Sequence, residues 1–157
     1  MAGARTGRRG AARDSSARLG PWRPLIASTA YLDGSAAVKL LSAEQESGAL
    51  RSALDSLAVF VSSEFLEVEL RCVARREGGG ELVDRAERIC ASVDLLPFTS
   101  AVRARAGDAF EPAQRALDAI HLATALDLRL DGLVLVTYDE RQAAGGRRAG
   151  LDVLAPA

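Results

Sequence analysis

Four carboxylates stand where their chemistry could be joined. Asp33 closes the run "AYLD" ahead of the turn "GSA", and Asp139 closes "LVLVTYD". Each follows an apolar β-type run, at the C-terminal strand edge where open parallel sheets gather ligands. Taken singly, each is better read as the N-cap of the helix that follows. Glu69 lies in "VSSEFLEVELRCVARR", Val61 to Arg76, close to Glu64 and Glu67. Read as a helix advancing about 100° per residue, this stretch puts Glu69 in the middle of an apolar arc formed by Val68, Cys72, Phe65, Val73, Leu66 and Leu70. Glu64 and Glu67 fall on the polar side, where Glu67 and Arg71 make a favourable pair four residues apart. An inward carboxylate is costly unless it is paired, hydrogen-bonded or metal-bound. A structural ion pair to another helix is the plain alternative for Glu69. Asp118, in "LDAIHLATALDL", is a second acid on a largely apolar helix. His121 in the same segment reads as a satisfied core histidine rather than a ligand.

Four carboxylates in one pocket cannot all stay ionised without a cation. Hard divalent ions with oxygen ligands, Mg²⁺ or Mn²⁺, suit them. Such an ion activates water and stabilises charge on a phosphate during in-line displacement. The chemistry implied is metal-assisted hydrolysis of a phosphodiester. No GxxxxGK[ST] or GxGxxG stretch offers nucleotide binding instead.

The elements that must position these acids alternate between strand and helix. "TAYLDGSA" starts as a strand and passes into the helix "SAAVKLL". "SGALRSALDSL" has helical spacing, and "AVFVS" (Ala58 to Ser62) is a second strand. Ser62 and Ser63 are placed to cap the glutamate-bearing helix, which the triple glycine Gly78–Gly80 stops. "ELVDRAERICASV" reads as a helix and "DLLPFT" as a short strand or extended link. Helices are predicted over Ser100–Ala106 and Ala113–Leu130, a buried strand over Leu133–Asp139, a short helix in "ERQAAGGRRAG" and a last strand in "LDVLAP". Strands separated by helices imply parallel pairing and a sheet covered on both faces.

The totals narrow the class. With 157 residues the chain suits one domain, and no run of about 18 apolar residues suggests a membrane span. Cys72 and Cys90 lack CxxC spacing, and His121 has no partner for a zinc site; reduced thiols in a cytoplasm are the plain reading. The formal charge of −1 hides an asymmetry. Residues 1–23 carry six arginines and one acid; taking these from 20 basic and 21 acidic residues leaves 14 against 20 in 24–157, a net of −6. Residues 1–23 therefore read as a basic, disordered extension and 24–157 as the folded domain. The extension is read as inert in preference to a nucleic-acid-binding arm.

Four blocks in order resemble the PIN-domain ribonucleases, specifically the VapC-type toxins of toxin–antitoxin pairs. They are "YLDGSAAVKLL", "VSSEFLEVELRCVARR", "LDAIHLATAL" and "LVTYDERQAAGGRRAGLDVLAP", spanning about Ala30 to Pro156. The matching acids are Asp33, Glu69, Asp118 and Asp139. The resemblance implies a three-layer α/β fold with a central parallel sheet. It further implies Mg²⁺- or Mn²⁺-dependent endoribonuclease activity at the four acids, a homodimer, and a small cognate antitoxin. Ser35 and Thr137 match positions whose hydroxyls support the acidic cluster. Gly34 stands where threonine is commoner in the family. Two rival readings are a catalytically silent PIN-like binding module and a receiver-like phospho-acceptor domain, which would favour an acidic pair after the first strand. At net −6 the domain needs local cations to meet RNA, drawn from Arg71, Arg75, Arg76, Arg103, Arg105, Arg141, Arg147 and Arg148 or from the extension.

Overall fold

A computed structural model describes residues 29–108, 110 and 114–157. The basic extension expected over 1–23 lies outside the described residues. The chain runs β1 (Thr29–Leu32), α1 (Gly34–Leu41), α2 (Ser47–Leu54), β2 (Val59–Ser63), α3 (Phe65–Glu77), α4 (Gly80–Ala91), β3 (Asp94–Leu96), α5 (Ser100–Asp108), α6 (Ala116–Asp127), β4 (Val134–Val136), α7 (Glu140–Arg148) and β5 (Asp152–Leu154). The five strands form one parallel sheet in the order β3-β2-β1-β4-β5. The three-layer α/β expectation therefore holds. A receiver-like sheet would run 2-1-3-4-5, so the strand order removes that rival.

The order also fixes where a site can form. The chain adds β2 and β3 on one side of β1, then crosses to add β4 and β5 on the other. Beyond the C-terminal ends of β1 and β4 the connections diverge, and a crevice opens at that switch point. Leu32 is in register with Val136, so the next step of each strand sets Asp33 beside Thr137.

Side chains of β1 alternate between the two faces of the sheet. Ala30 and Leu32 join Leu41, Leu50, Leu66, Leu70 and Ala74 in one apolar core under α1 to α4. Tyr31 enters the other core with Val61, Leu122, Ala125 and Leu135. Each fully buried leucine contributes about 1.5–3 kcal/mol relative to exposure. The chain leaves α3 through Gly78, whose N–H bonds Ala74 O at 3.0 Å, and Gly79, which sits at φ 67°. That left-handed turn favours glycine and lets α4 fold back on α3.

Three local expectations shift. Ser62 and Ser63 both belong to β2; the Ser62 hydroxyl donates to Leu32 O across the sheet, while the Ser63 hydroxyl accepts from the Phe65 amide at 3.4 Å, so only Ser63 meets the start of α3. Helix α6 is shorter than Ala113–Leu130, because its last predicted turn ends at Asp127 before the "RLDG" turn. The buried stripe of α3 is Leu66, Leu70 and Ala74, while Val68 is 59% exposed and Cys72 also faces outward. The wheel centred the buried arc one side too far. It weighted Val68 and Cys72 as core and left Ala74 at the polar edge.

Candidate active site

Asp33 is the most constrained of the four acids. It is 4% exposed and caps α1. Its Oδ1 accepts from the Ala36 amide at 2.9 Å and from the Ser35 hydroxyl at 2.7 Å, and its Oδ2 accepts from the Thr137 hydroxyl. Burial is the largest influence and pushes its carboxyl upward against these donors. The fold thus holds a carboxylate with donors enough to orient it but too few to make its charge comfortable.

Thr137 and Ser35 tie that acid to the neighbouring strand end. The Thr137 oxygen accepts from the Asp139 amide at 3.1 Å while its proton goes to Asp33. The Ser35 oxygen likewise accepts from the Tyr138 amide at 2.8 Å. Both hydroxyls bridge the turn after β1 to the turn after β4.

Asp139 lies at the same edge but spends its side chain differently. It is the N-cap of α7, with Oδ1 accepting from the Arg141 and Gln142 amides at 2.8 and 3.1 Å. Partial burial works against its charge, but those amides and the Arg141 guanidinium outweigh burial and pull its carboxyl below the ordinary range. The helix-cap reading thus describes Asp33 and Asp139 alike. What separates them is the environment, which opposes the charge of one and favours that of the other.

Glu69 sits at the flank of the buried stripe of α3, half-buried, rather than at its centre. It reaches across to the start of α1. A Cβ placed on Gly34 would lie 2.7 Å from Glu69 Oε1 and 3.0 Å from Oε2, so the carboxylate rests on the glycine next to Asp33. Its partner is not an arginine. The Nε2–H of His121 donates to Glu69 Oε2 at 2.8 Å. His121 is 3% exposed and its Nδ1 meets the Tyr31 hydroxyl at 2.9 Å. The core-histidine expectation holds for burial and satisfaction, but sequence reasoning missed the link to Glu69. Strand alternation, which sends Tyr31 to the α6 side, signals its meeting with His121 but not the link onward to Glu69.

Asp118 is half-buried in the first turn of α6, and its Oδ2 accepts from the Arg115 amide at 3.3 Å. It lies one turn before the point where His121 meets Glu69. The structure therefore sets the Glu69 carboxylate against Gly34, the residue after Asp33, ties the Asp139 backbone to Asp33 through Thr137, and places Asp118 one helical turn from His121. Among the described residues no three His, Cys, Asp or Glu side chains are close enough to enclose a metal ion as they stand. The donor set itself fits a hard cation: carboxylate oxygens, with a buried Asp33 whose charge lacks an opposite partner at hydrogen-bond distance. Glu64 and Glu67 are exposed, as expected, and Glu67 pairs with Arg71 at 3.3 Å.

Two clefts flank this edge. One, of about 380 Å³, is lined by Gly34, Ser35, Lys39, Glu69, Arg76 and Tyr138. The other, of about 410 Å³, is lined by Thr137, Tyr138, Asp139, Glu140 and Arg147. Tyr138 borders both, with Lys39 Nζ 4.7 Å from its ring centre.

Residues 30–147 match the PIN domain family. The chain belongs to that family. Its curated relatives place it in the VapC branch. It is 40% identical over 133 residues to Ribonuclease VapC46 of Mycobacterium tuberculosis, covering 80% of this chain and 96% of the relative. It is 35% identical over 130 residues to Ribonuclease VapC47 of the same species, with the same coverage. Among solved structures, the fold matches M. tuberculosis VapC20, described as a sarcin-ricin loop cleaving toxin, at a TM-score of 0.64 and 18% identity, over 74% of this chain and 95% of that one. It also matches VapBC2 from Rickettsia felis, solved on a DNA fragment from its promoter, at a TM-score of 0.64 and 13% identity, over 82% of this chain and 99% of that one. Among the described residues no helix is long and apolar enough to cross a membrane.

Proposed function

We propose that this chain is a divalent-metal-dependent endoribonuclease, the toxin of a toxin–antitoxin pair. The observation that carries the reading is the buried Asp33 at the β1/β4 switch point, oriented by Ser35, Ala36 and Thr137 with Glu69 against it. Asp33 and Glu69, with Asp118 and Asp139, would hold Mg²⁺ or Mn²⁺. When bound, such an ion supplies an activated water and neutralises charge on the scissile phosphate. The chain's own contribution is orientation. Ser35 and Thr137 each fix one Asp33 oxygen. Arg76 in one cleft and Arg147 in the other offer cations to phosphates on either side of Tyr138, whereas Lys39 is already held by Glu44 and Glu46 at 2.7 and 2.8 Å.

The same reading includes a homodimer and a small protein inhibitor. Val68 and Cys72 are exposed on the outward side of α3, beside Phe65, which packs edge-on against Phe98, and a subunit contact would cover them. An acidic crevice also suits a partner that presents an arginine by charge-assisted hydrogen bonds.

The catalytically silent PIN-like module stays in play on one observation, the absence of a ready-made three-acid cluster among the described residues. Cleavage of a transfer and ribosomal RNA panel with Mg²⁺, with chelator and with Asp33→Asn decides between them. The enzyme reading expects metal-dependent cleavage that falls more than about a hundredfold in the variant, beyond the loss typical of a residue that only supports a ligand. Absent cleavage with RNA binding retained would favour the silent module, and cleavage that persists in chelator would overturn the metal-site reading.

A further inference from the structure

Tyr31 and His121 are buried, titratable and unused by the reading above, yet they end on a site residue. Their chain runs through three separate elements. Tyr31 lies in the central strand, two residues before Asp33, with no exposed surface. Its hydroxyl meets His121 Nδ1 across 90 residues of sequence, and the two rings pack edge-on, 5.8 Å apart at 80°. With Nδ1 engaged, the ring turns Nε2 toward α3, where it binds Glu69 Oε2 at 2.8 Å. Gly34 closes the other side: Oε1 stands 2.7 Å from where a Cβ would be. Glu69 is thus clamped between an imidazole and a bare stretch of helix backbone. One oxygen is tied and the other is left toward the Asp33 turn.

A half-buried glutamate on a helix flank has three side-chain torsions, and fixing them costs entropy each time the side chain is recruited. A clamp that is part of the folded core meets that cost on folding. We propose that His121, braced by Tyr31, is the positioning residue for Glu69, and that with Gly34 it sets how tightly the acidic site takes a divalent cation. The inference rests on the metal-site reading above and adds residues that reading does not contain.

Mn²⁺ binding to the full chain, followed by calorimetry and by the signal of free Mn²⁺ in electron paramagnetic resonance, tests it without RNA. His121→Ala is expected to raise the Mn²⁺ dissociation constant about 10- to 100-fold, the range seen when a group holding a metal ligand is lost. His121→Gln, whose amide N–H can reach Glu69, should recover most of that loss. In a Glu69→Gln background, His121→Ala should add little, because its effect passes through Glu69. Gly34→Ala should also weaken binding. Gly34 is half-exposed and needs no unusual backbone angle, so this variant decides the matter if His121→Ala does not fold. Wild-type affinity in folded His121→Ala or in Gly34→Ala overturns the proposal, as does an undiminished His121→Ala effect in the Glu69→Gln background. Asp33→Asn separates the two levels: if it binds Mn²⁺ as wild type does, the metal-site reading itself falls.

Discussion

The two halves of the acidic edge are built on different principles. The strand-end half, Asp33 with Ser35, Thr137 and Asp139, is held by hydrogen bonds within two short turns that the sheet register sets side by side. The helix half, Glu69 with His121 and Asp118, is assembled across α3 and α6, elements some fifty residues apart that one imidazole ties together at the site. In the first half each polar group has two jobs. In the second, one contact carries the placement. Geometry near a strand terminus is inherited from the sheet, whereas geometry on a helix flank depends on how two layers pack.

Thr137→Val would test the first half most severely. The Thr137 hydroxyl is fully buried, donates to Asp33 and accepts from the Asp139 amide. Its loss strands two buried polar groups, at about 1–3 kcal/mol. Activity on RNA should fall about 10- to 100-fold. If thermal unfolding and turnover both stay at wild-type values, the strand-end half is not the rigid part of the site.

Asp33→Asn sharpens the comparison with the opposite sign. Burial pushes the Asp33 carboxyl upward, so the folded chain keeps that proton more readily than the unfolded one. Its contribution to stability is then full below the ordinary carboxylate value of about 4 and is lost as pH rises through the folded-state value. Without metal, Asp33→Asn should therefore match or exceed the wild-type melting temperature at neutral pH, with the gap narrowing as pH falls toward that value. A marked drop at neutral pH would make Asp33 mainly structural.

Glu67→Gln is the smallest change. Glu67 is exposed and meets Arg71 at 3.3 Å on the solvent side of α3. Stability should move by no more than about 0.5 kcal/mol, with cleavage and Mn²⁺ binding unaltered. A large loss of activity would show that the outward glutamates, and not Glu69 alone, belong to the site.

Much of this was legible from the chain itself. Apolar runs of strand length, each followed by a polar residue and a helical pattern, determine that Asp33 and Asp139 end strands, because side-chain period and turn chemistry are local properties. The wheel separated Glu69 from Glu64 and Glu67 for the same reason, although it misplaced the centre of the buried face. A single helix cannot report which of its apolar residues a neighbour covers, and Val68 and Ala74 exchanged roles once α3 packed. Strand order was beyond local reading: only the tertiary structure decided that β4 lies beside β1 and opens the crevice there. The partner of Glu69 was likewise decided in three dimensions. A histidine 52 residues away meets it, braced in turn by a tyrosine from the central strand, because both layers close on the same sheet edge, and no local pattern names that partner of Glu69.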